Sequence, residues 1–156
     1  FSVVNARAVV WRKNAEIHLT MAELYADAWN NPLAQNSLRP GDLILAVEIP
    51  ASVGRSAYLQ VSEKSDFDWA LVSCAASGKI SDGKFTSVRV ALGAIAPVPY
   101  QVETAEARIE GQAFGEKAAG AMADAILSGV QPLVHNAYKV AISRALIRRC
   151  LMKLQG

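Results

Sequence analysis

Features that mark several common protein classes are scarce in this 156-residue sequence. Its two cysteines, Cys74 and Cys150, each lie in an apolar run with no second Cys or His at ligand spacing, which argues against a metal site or a disulfide framework. The net charge is only +2, and no basic stripe is interleaved with aromatic residues, so nothing indicates nucleic-acid binding. We therefore expect both cysteines to be reduced core residues, which fits a reducing compartment.

Long hydrophobic runs and the short motifs of common enzymes are also absent. The richest apolar run, residues 88–99, is interrupted by one glycine and two prolines, and it falls short of the roughly 18 apolar residues of a membrane helix. There is no signal peptide pattern, dinucleotide-binding glycine motif, Walker A motif, zinc-protease HExxH or nucleophile elbow. His18 and His135 stand far apart without an obvious partner, and we expect structural or surface roles for them. These motifs and residue types therefore identify no catalytic site.

Composition indicates one domain, or one domain with a piece of another. Hydrophobic residues make up 52% of the chain, enough for a core, while charged residues make up only 19%. A low charged fraction suits a chain that buries surface against a partner. The sequence opens at Phe1, already within strand-like residues and without Met, so we expect a trimmed or processed product.

The hydrophobic pattern predicts strands first and most helices afterwards. Strands are predicted at residues 2–11, 15–19, 42–49, 55–62, 69–80 and 85–94. Residues 69–80 also suit a buried helix, but the turn signal at 81–84 favours a hairpin. Helices are predicted to about Ala28 after a Thr20–Glu23 capping box, and at 103–109, 114–127 and 137–154, the last with Asn136 as its N-cap. This order predicts an α+β fold, an antiparallel sheet with helices packed on one face.

Four stretches, taken in order, resemble one known family. They are LRPGDLI at 38–44 with IP at 49–50; YLQV at 58–61 with SDFDWALVS at 65–73; VALGAIAPVP at 90–99 with AE at 105–106 and Gly111; and NAYK at 136–139 with RR at 148–149 and Leu151. Together they resemble the C-terminal half of the FAD-binding (medium) subunit of molybdenum hydroxylases, the family of xanthine dehydrogenase, aldehyde oxidoreductase and CO dehydrogenase.

The resemblance implies two domains and a redox role. Residues 1–50 would be the tail of the FAD-binding (PCMH-type) domain, a remnant of its second subdomain, and residues 51–156 a CO dehydrogenase flavoprotein C-terminal domain. The longer protein to which the chain would belong, its parent, would pass electrons from iron–sulfur clusters through FAD to an acceptor. It would do so within an oxidoreductase complex that also contains a molybdenum-cofactor subunit and a [2Fe-2S] subunit. The family's glycine-rich pyrophosphate loop is not in this chain, so we expect the chain alone to be inactive and to bind FAD weakly or not at all.

The same resemblance implies a location and a set of partners for the longer protein to which the chain would belong. A cytoplasmic location is expected, with the periplasm as the alternative for the aldehyde oxidoreductase type. Neither nucleic acid nor a membrane is expected as a partner, and a homo-oligomer is left open.

Three positions match flavin contacts of that family. Ile44 corresponds to a residue lying against the cofactor, and Asp68 to an acidic residue near the ribityl or adenosine portion. Gln60 stands where the family has Lys, and Ser62 where it has Arg, so a donor remains at Gln60 but no cation. The structural alternatives are a core position for Ile44, a solvated strand position for Gln60 and an exposed strand start for Asp68.

Other hypotheses stay open at this stage. The departures at Gln60 and Ser62 favour a stand-alone, non-flavin assembly or binding module that shares the fold, and an unrelated α+β ligand-binding domain is a third reading. Basic residues cluster late in the last predicted helix and form either a solvated face or a docking surface for a partner subunit: Arg144, Arg148, Arg149 and Lys153.

Overall fold

A computed structural model describes residues 1–31, 33–51, 54–64 and 67–155. Pro32, predicted to stop a helix, and Ser65 and Asp66, part of one resembling stretch, lie outside the described residues. The chain divides into two compact units, residues 1–53 with 96–99 and residues 54–95 with 100–156. Each unit contains one of the two antiparallel sheets found in the described residues.

The first unit contains a sheet in the order β2-β1-β3 and one helix. Its elements are β1 (Arg7–Arg12), β2 (Ala15–Thr20), α1 (Met21–Asn30) and β3 (Leu43–Glu48). The predicted capping box that begins α1 is confirmed, because the Glu23 N–H donates to Thr20 Oγ1 at 3.2 Å and the Thr20 N–H donates to the Glu23 carboxylate at 2.8 Å. These bonds hold the pKa of Glu23 below its ordinary value, mainly through the backbone N–H of Thr20.

Helix α1 covers only part of this sheet. Met21 and Leu24 of the helix pack against Ala8 and Val10 of the central strand β1. Strand β3 lies at the sheet edge, and every one of its residues is exposed. The core of the first unit is therefore small and is centred on β1.

The second unit is an antiparallel meander of three strands with helices on one face. The strands are β4 (Arg55–Val61), β5 (Val72–Ser81) and β6 (Lys84–Gly93), and the helices are α2 (Glu103–Ile109), α3 (Glu116–Leu127) and α4 (Tyr138–Met152). At the turn between β5 and β6, Asp82 and Gly83 have φ values of 51° and 70°, which fits the predicted hairpin and its Asp-Gly signal. The predicted fold class, α+β with helices on one face of an antiparallel sheet, is confirmed.

The core of the second unit lies between this sheet and the helices. Alternate residues of the strands point toward the helices, and the helices supply one apolar stripe each. Each fully buried large side chain contributes roughly 1.5–3 kcal/mol relative to an exposed one. The largest of these are Phe85, Leu92, Met122, Ile126, Ile147, Leu151 and Leu154.

Strand β6 lies at the sheet edge, and several of its amides on that side pair with residues that follow β6 in sequence. The Val90 N–H donates to Glu106 Oε1 at 2.9 Å, and the Ser87 N–H donates to Glu110 Oε2 at 2.8 Å. Leu92 exchanges two backbone hydrogen bonds of 2.9 Å with Tyr100. A protected edge cannot serve as a template for pairing with another chain.

Three local predictions were wrong. Residues 2–4 form a 3-10 turn rather than strand, because Asn5 takes a left-handed conformation and its N–H donates to Ser2 O. Phe114 precedes α3 instead of opening it, because its ring packs on Phe85 with centroids 5.1 Å apart. Asn136 does not cap α4, because its Oδ1 accepts the Leu133 N–H at 2.7 Å.

None of the helices in the described part of the chain is both long and apolar enough to cross a membrane.

Candidate functional site

The sheet of the second unit has an outer face, opposite the helices, that carries mostly small side chains. On β4, Leu59 and Val61 pack into the core, so Tyr58 and Gln60 point to the outer face by strand alternation. The cross-strand register then places three rows on this face: Ser56, Ser77 and Arg89; Tyr58, Ala75 and Ala91; and Gln60, Ser73 and Gly93. We call these nine residues the outer face. Its middle and end rows hold little bulk apart from Tyr58 and Gln60.

Tyr58 and Gln60 are joined by a hydrogen bond on this face. The Tyr58 hydroxyl donates to Gln60 Oε1 at 3.0 Å, and both side chains are exposed. With its oxygen engaged, the amide presents its NH₂ group, which carries two donors and no charge. Tyr58 therefore orients the amide of Gln60. Tyr58 was not identified from the sequence, although strand alternation in β4 places it on the same face as Gln60.

Asp68 organises the connection between β4 and β5. One carboxylate oxygen accepts the Lys64 N–H and the other accepts the Trp69 N–H, each at 2.9 Å. The Leu71 N–H donates to Val61 O at 2.8 Å, which closes this connection at the end of the sheet where Gln60 lies. The structure thus brings Gln60 and Asp68 to the same end of the sheet. Asp68 is half-buried in the connection, and β5 begins only at Val72, so Asp68 is not an exposed strand start.

Two large aromatic side chains flank Asp68 and are exposed. Phe67 is fully exposed and Trp69 is 92% exposed. Phe67 also has a φ of 50°, which is unusual for a bulky residue and typical of tight turns and functional loops. This connection therefore displays apolar rings on both sides of the candidate carboxylate.

Ile44 belongs to the first unit and is not a core residue. It lies on the edge strand β3, and 50% of it is exposed, together with Leu43 at 61% and Leu45 at 53%. The reading of Ile44 as a core position was wrong, because α1 packs over β1 and leaves β3 uncovered. Its apolar side chain is available to contact another group.

The start of β3 is held by an ion pair that the sequence analysis did not anticipate. The Arg12 guanidinium donates to both carboxylate oxygens of Asp42, with a shortest distance of 2.6 Å. The Arg39 N–H also donates to the Asp42 carboxylate at 2.8 Å. The Pro-Gly-Asp turn was the local signal for the second contact, whereas the partner 30 residues away had none.

His18 has partners that its sequence surroundings did not reveal. Its Nδ1 lies 3.1 Å from Glu48 Oε2 on β3, and its Nε2 lies 3.3 Å from Glu16 Oε1 on its own strand. Because β1 lies between β2 and β3, the contact with Glu48 spans the sheet. The expectation that His18 is a surface residue holds, but the absence of a partner was wrong.

Two basic residues of the cluster late in α4, and Lys139 at its start, make contacts within the second unit. Arg148 pairs with Glu116 of α3 at 2.7 Å, and Arg144 pairs with Asp124, which also lies on α3. Lys139 donates to Ala94 O at 2.8 Å and ties the start of α4 to the end of β6. These contacts favour an internal role over a docking surface for Arg144 and Arg148, two of the four residues of the cluster.

The described part of the chain shows no group of three or more His, Cys, Asp or Glu residues that could hold a metal ion. Both cysteines are free and buried, as predicted.

Comparison with known proteins finds relatives among subunits of aldehyde oxidoreductase and carbon monoxide dehydrogenase. "Aldehyde oxidoreductase FAD-binding subunit PaoB" of Escherichia coli K12 is 31% identical over 139 residues, 88% of this chain and 41% of that protein. "Carbon monoxide dehydrogenase medium chain" of Hydrogenophaga pseudoflava is 29% identical over 120 residues, 73% of this chain and 42% of that protein. The chain thus spans less than half the length of these relatives.

Solved structures agree in fold. Carbon monoxide dehydrogenase from Hydrogenophaga pseudoflava, in a form lacking the Mo-pyranopterin moiety, has a TM-score of 0.79 at 28% identity, covering 96% of this chain and 52% of that chain. Quinoline 2-oxidoreductase from Pseudomonas putida 86 has a TM-score of 0.84 at 20% identity, covering 99% and 54%, which shows the fold alone. The sequence profile described as "CO dehydrogenase flavoprotein C-terminal domain" matches residues 56–154. The chain therefore belongs to the family of CO dehydrogenase flavoprotein C-terminal domains and is homologous to FAD-binding subunits of molybdenum hydroxylases.

Proposed function

We propose that this chain is the C-terminal part of the FAD subunit of a molybdenum-containing hydroxylase. The family match over residues 56–154 carries this proposal. It is supported by relatives whose names state FAD binding, the PaoB subunit and a xanthine dehydrogenase subunit of Escherichia coli O157:H7 that is 26% identical over 100 residues. The parent complex would pass electrons from iron–sulfur clusters through FAD to an acceptor, beside a molybdenum-cofactor subunit and a [2Fe-2S] subunit in the cytoplasm.

We propose the same two domains that the resemblance implied. Residues 1–50 would belong to the FAD-binding domain and residues 51–156 to the C-terminal domain. The change of compact unit between residues 53 and 54, and the start of the family match at residue 56, support a boundary in this region.

The outer face suits the planar part of a flavin. The side chains of Ser73 and Ala75 are small and half-buried, so a flat ring system meets little bulk there, and Gln60 offers amide donors at its rim. When bound, FAD supplies the redox chemistry, while the protein contributes binding, orientation and electrostatics. The task proposed for Gln60 is to donate a hydrogen bond to the electron-rich flavin, with Tyr58 holding the amide in place.

Asp68 and Ile44 would add contacts of different kinds. A carboxylate has about four lone-pair sites, so Asp68 can accept from a ribityl or adenosine hydroxyl while it still holds the Lys64 and Trp69 amides. Ile44 would contribute exposed apolar surface from β3. The family's pyrophosphate loop is not in this sequence, so the 156 residues alone are proposed to bind FAD weakly or not at all.

The proposal is tested by purifying the full-length parent beside this chain. We expect a parent of larger intact mass that carries the visible absorbance of bound flavin, while the chain is colourless. A parent of the same mass without flavin absorbance would contradict the redox role.

That second outcome would favour the alternative function, a stand-alone assembly or binding module. The observation in its favour is the pair of departures at Gln60 and Ser62, which remove two cations from the family pattern. In that case the exposed rings of Phe67 and Trp69 would serve contact with a protein partner rather than enclosure of a cofactor.

A further inference from the structure

Cys74 and Cys150 come together in the interior of the second unit although 76 positions separate them in sequence. Cys74 lies on β5 and Cys150 on α4, and both are fully buried at 0% exposure. The Cys150 thiol donates to the backbone carbonyl of Cys74 at 3.3 Å, so this side chain points at residue 74. The cysteines are therefore neighbours across the interface between the sheet and its last helix.

We propose that Cys74 and Cys150 are a redox-modification site that forms an internal disulfide on exposure to a thiol oxidant such as a small-molecule disulfide. The proposal does not depend on the proposed flavin function. The product is a covalent link between the middle strand of the sheet and the last helix, inside the core.

The reaction is a thiol–disulfide exchange in two steps. The Cys150 thiolate attacks one sulfur of oxidised glutathione, which forms a mixed disulfide and releases one glutathione thiolate. Cys74 then loses its proton and attacks the Cys150 sulfur, which forms the internal S–S bond and releases the second glutathione. Two protein thiols are oxidised, two electrons reduce one glutathione disulfide, and the two protons end on the glutathione thiols.

The environment of the pair distinguishes the two sulfurs. The neighbouring Cys150 side chain, together with burial, raises the pKa of Cys74. The Cys74 side chain lowers the pKa of Cys150, and the positive charge of Lys153 acts in the same direction. Because the thiolate is the attacking species, Cys150 is the nucleophile of the first step and Cys74 resolves the mixed disulfide.

Burial determines when the reaction occurs. Neither sulfur is exposed, so an oxidant reaches Cys150 only when the contact between α4 and the sheet opens. Oxidation should therefore be slow under native conditions and faster when mild denaturant promotes this opening. Once formed, the cross-link restrains the same opening.

The test is the equilibrium of this disulfide against glutathione, measured for the folded protein and again in denaturing urea. After acid quenching, alkylation and mass spectrometry report the fraction of the two cysteine peptides that are linked to each other. If the fold holds the sulfurs in bonding position, the equilibrium constant is at least about tenfold larger in the folded protein than in the unfolded chain, whose closure is set by chain statistics. A folded-state constant equal to or below the unfolded one means that the fold keeps the sulfurs apart, and it overturns the proposal.

The matched controls are Cys74→Ala and Cys150→Ala. Each leaves one of the chain's two cysteines, so oxidation can yield only a glutathione adduct or a dimer between chains. If either variant fails to fold, the comparison of folded and unfolded wild-type protein still decides the question.

Discussion

The guanidinium of Arg12, at the end of β1, forms a bidentate ion pair with the carboxylate of Asp42, one residue before β3. The shortest contact is 2.6 Å, and the Asp42 side chain is only 3% exposed. Arg12 also donates to Ser37 O at 3.3 Å, and the Asp42 carboxylate accepts the Arg39 N–H. One charge pair thus fixes the loop that leads into the edge strand carrying Ile44.

This pair predicts an acid-sensitive first unit. The hydrogen bond from Arg12 holds the pKa of Asp42 below its ordinary value, so the stabilisation is complete above the unfolded-state pKa of about 3.9 and is lost as pH falls through the lower folded-state value. Asp42→Asn should lower the protection of β3 amides against hydrogen exchange at pH 7. The difference from wild type should shrink as pH falls through the lowered folded-state pKa, because the Asp42 carboxyl then becomes neutral as well. A difference that does not change between pH 7 and strongly acidic pH would contradict this account.

Glu106 predicts a specific cost at the edge of β6. Its carboxylate accepts the N–H of Val90, a residue that is 1% exposed. Glu106→Ala removes the acceptor and should destabilise the second unit by roughly 1–3 kcal/mol in urea denaturation. Glu106→Gln keeps an oxygen acceptor and should recover most of the loss. Glu103→Ala, at an exposed position of the same helix, is the control and should change little.

Leu151 and Leu133 provide a test of where the core lies. Leu151 is fully buried under the sheet, whereas Leu133 is 75% exposed in the turn before α4. Leu151→Ala should cost about 2–5 kcal/mol of unfolding free energy because it leaves a cavity. Leu133→Ala should change the free energy by less than about 0.5 kcal/mol. Equal effects in the two variants would show that α4 does not pack as described.

Gln60 predicts a shift in flavin potential, which rests on the proposed function. In the FAD-loaded parent, Gln60→Lys places a cation on the outer face and should raise the flavin midpoint potential, since a positive charge favours the electron-rich reduced form. Gln60→Glu should lower it. Ser56→Lys adds the same charge on the same strand and face, roughly 13 Å away, and should have a much smaller effect. Spectroelectrochemical titration measures all three.

Local patterns predicted much of the secondary structure. The Thr20–Glu23 capping box, the turn at Asp82 and Gly83, and the helix Glu103–Ile109 all depend on residues within a few positions of one another, so their physics can be read from adjacent letters. One of the three wrong predictions failed because a distant residue competed with the local pattern. Phe114 looked helical but packs on Phe85, a residue 29 positions earlier.

The candidate site divides along the same line. The sequence supplied Gln60 and Asp68 through their resemblance to a family, but only the packing of Leu59 and Val61 in the core showed that Gln60 lies on the face opposite the helices, beside its partner Tyr58. In the other sheet, the strand order β2-β1-β3 left Ile44, expected as a contact or a core residue, on an exposed edge strand.

The sequence by itself determined the fold class, the order of strands and helices, and the family. Hydrophobic periodicity, helix caps, turns and short motifs each depend on residues that are close together in sequence. Tertiary structure alone decided the contacts of Arg12 with Asp42, of His18 with Glu48 and of Cys74 with Cys150, which join residues 30 to 76 positions apart. Such pairs are set by strand register and by the packing of helices on sheets. Those depend on the burial of the whole core, so no short segment of sequence encodes them.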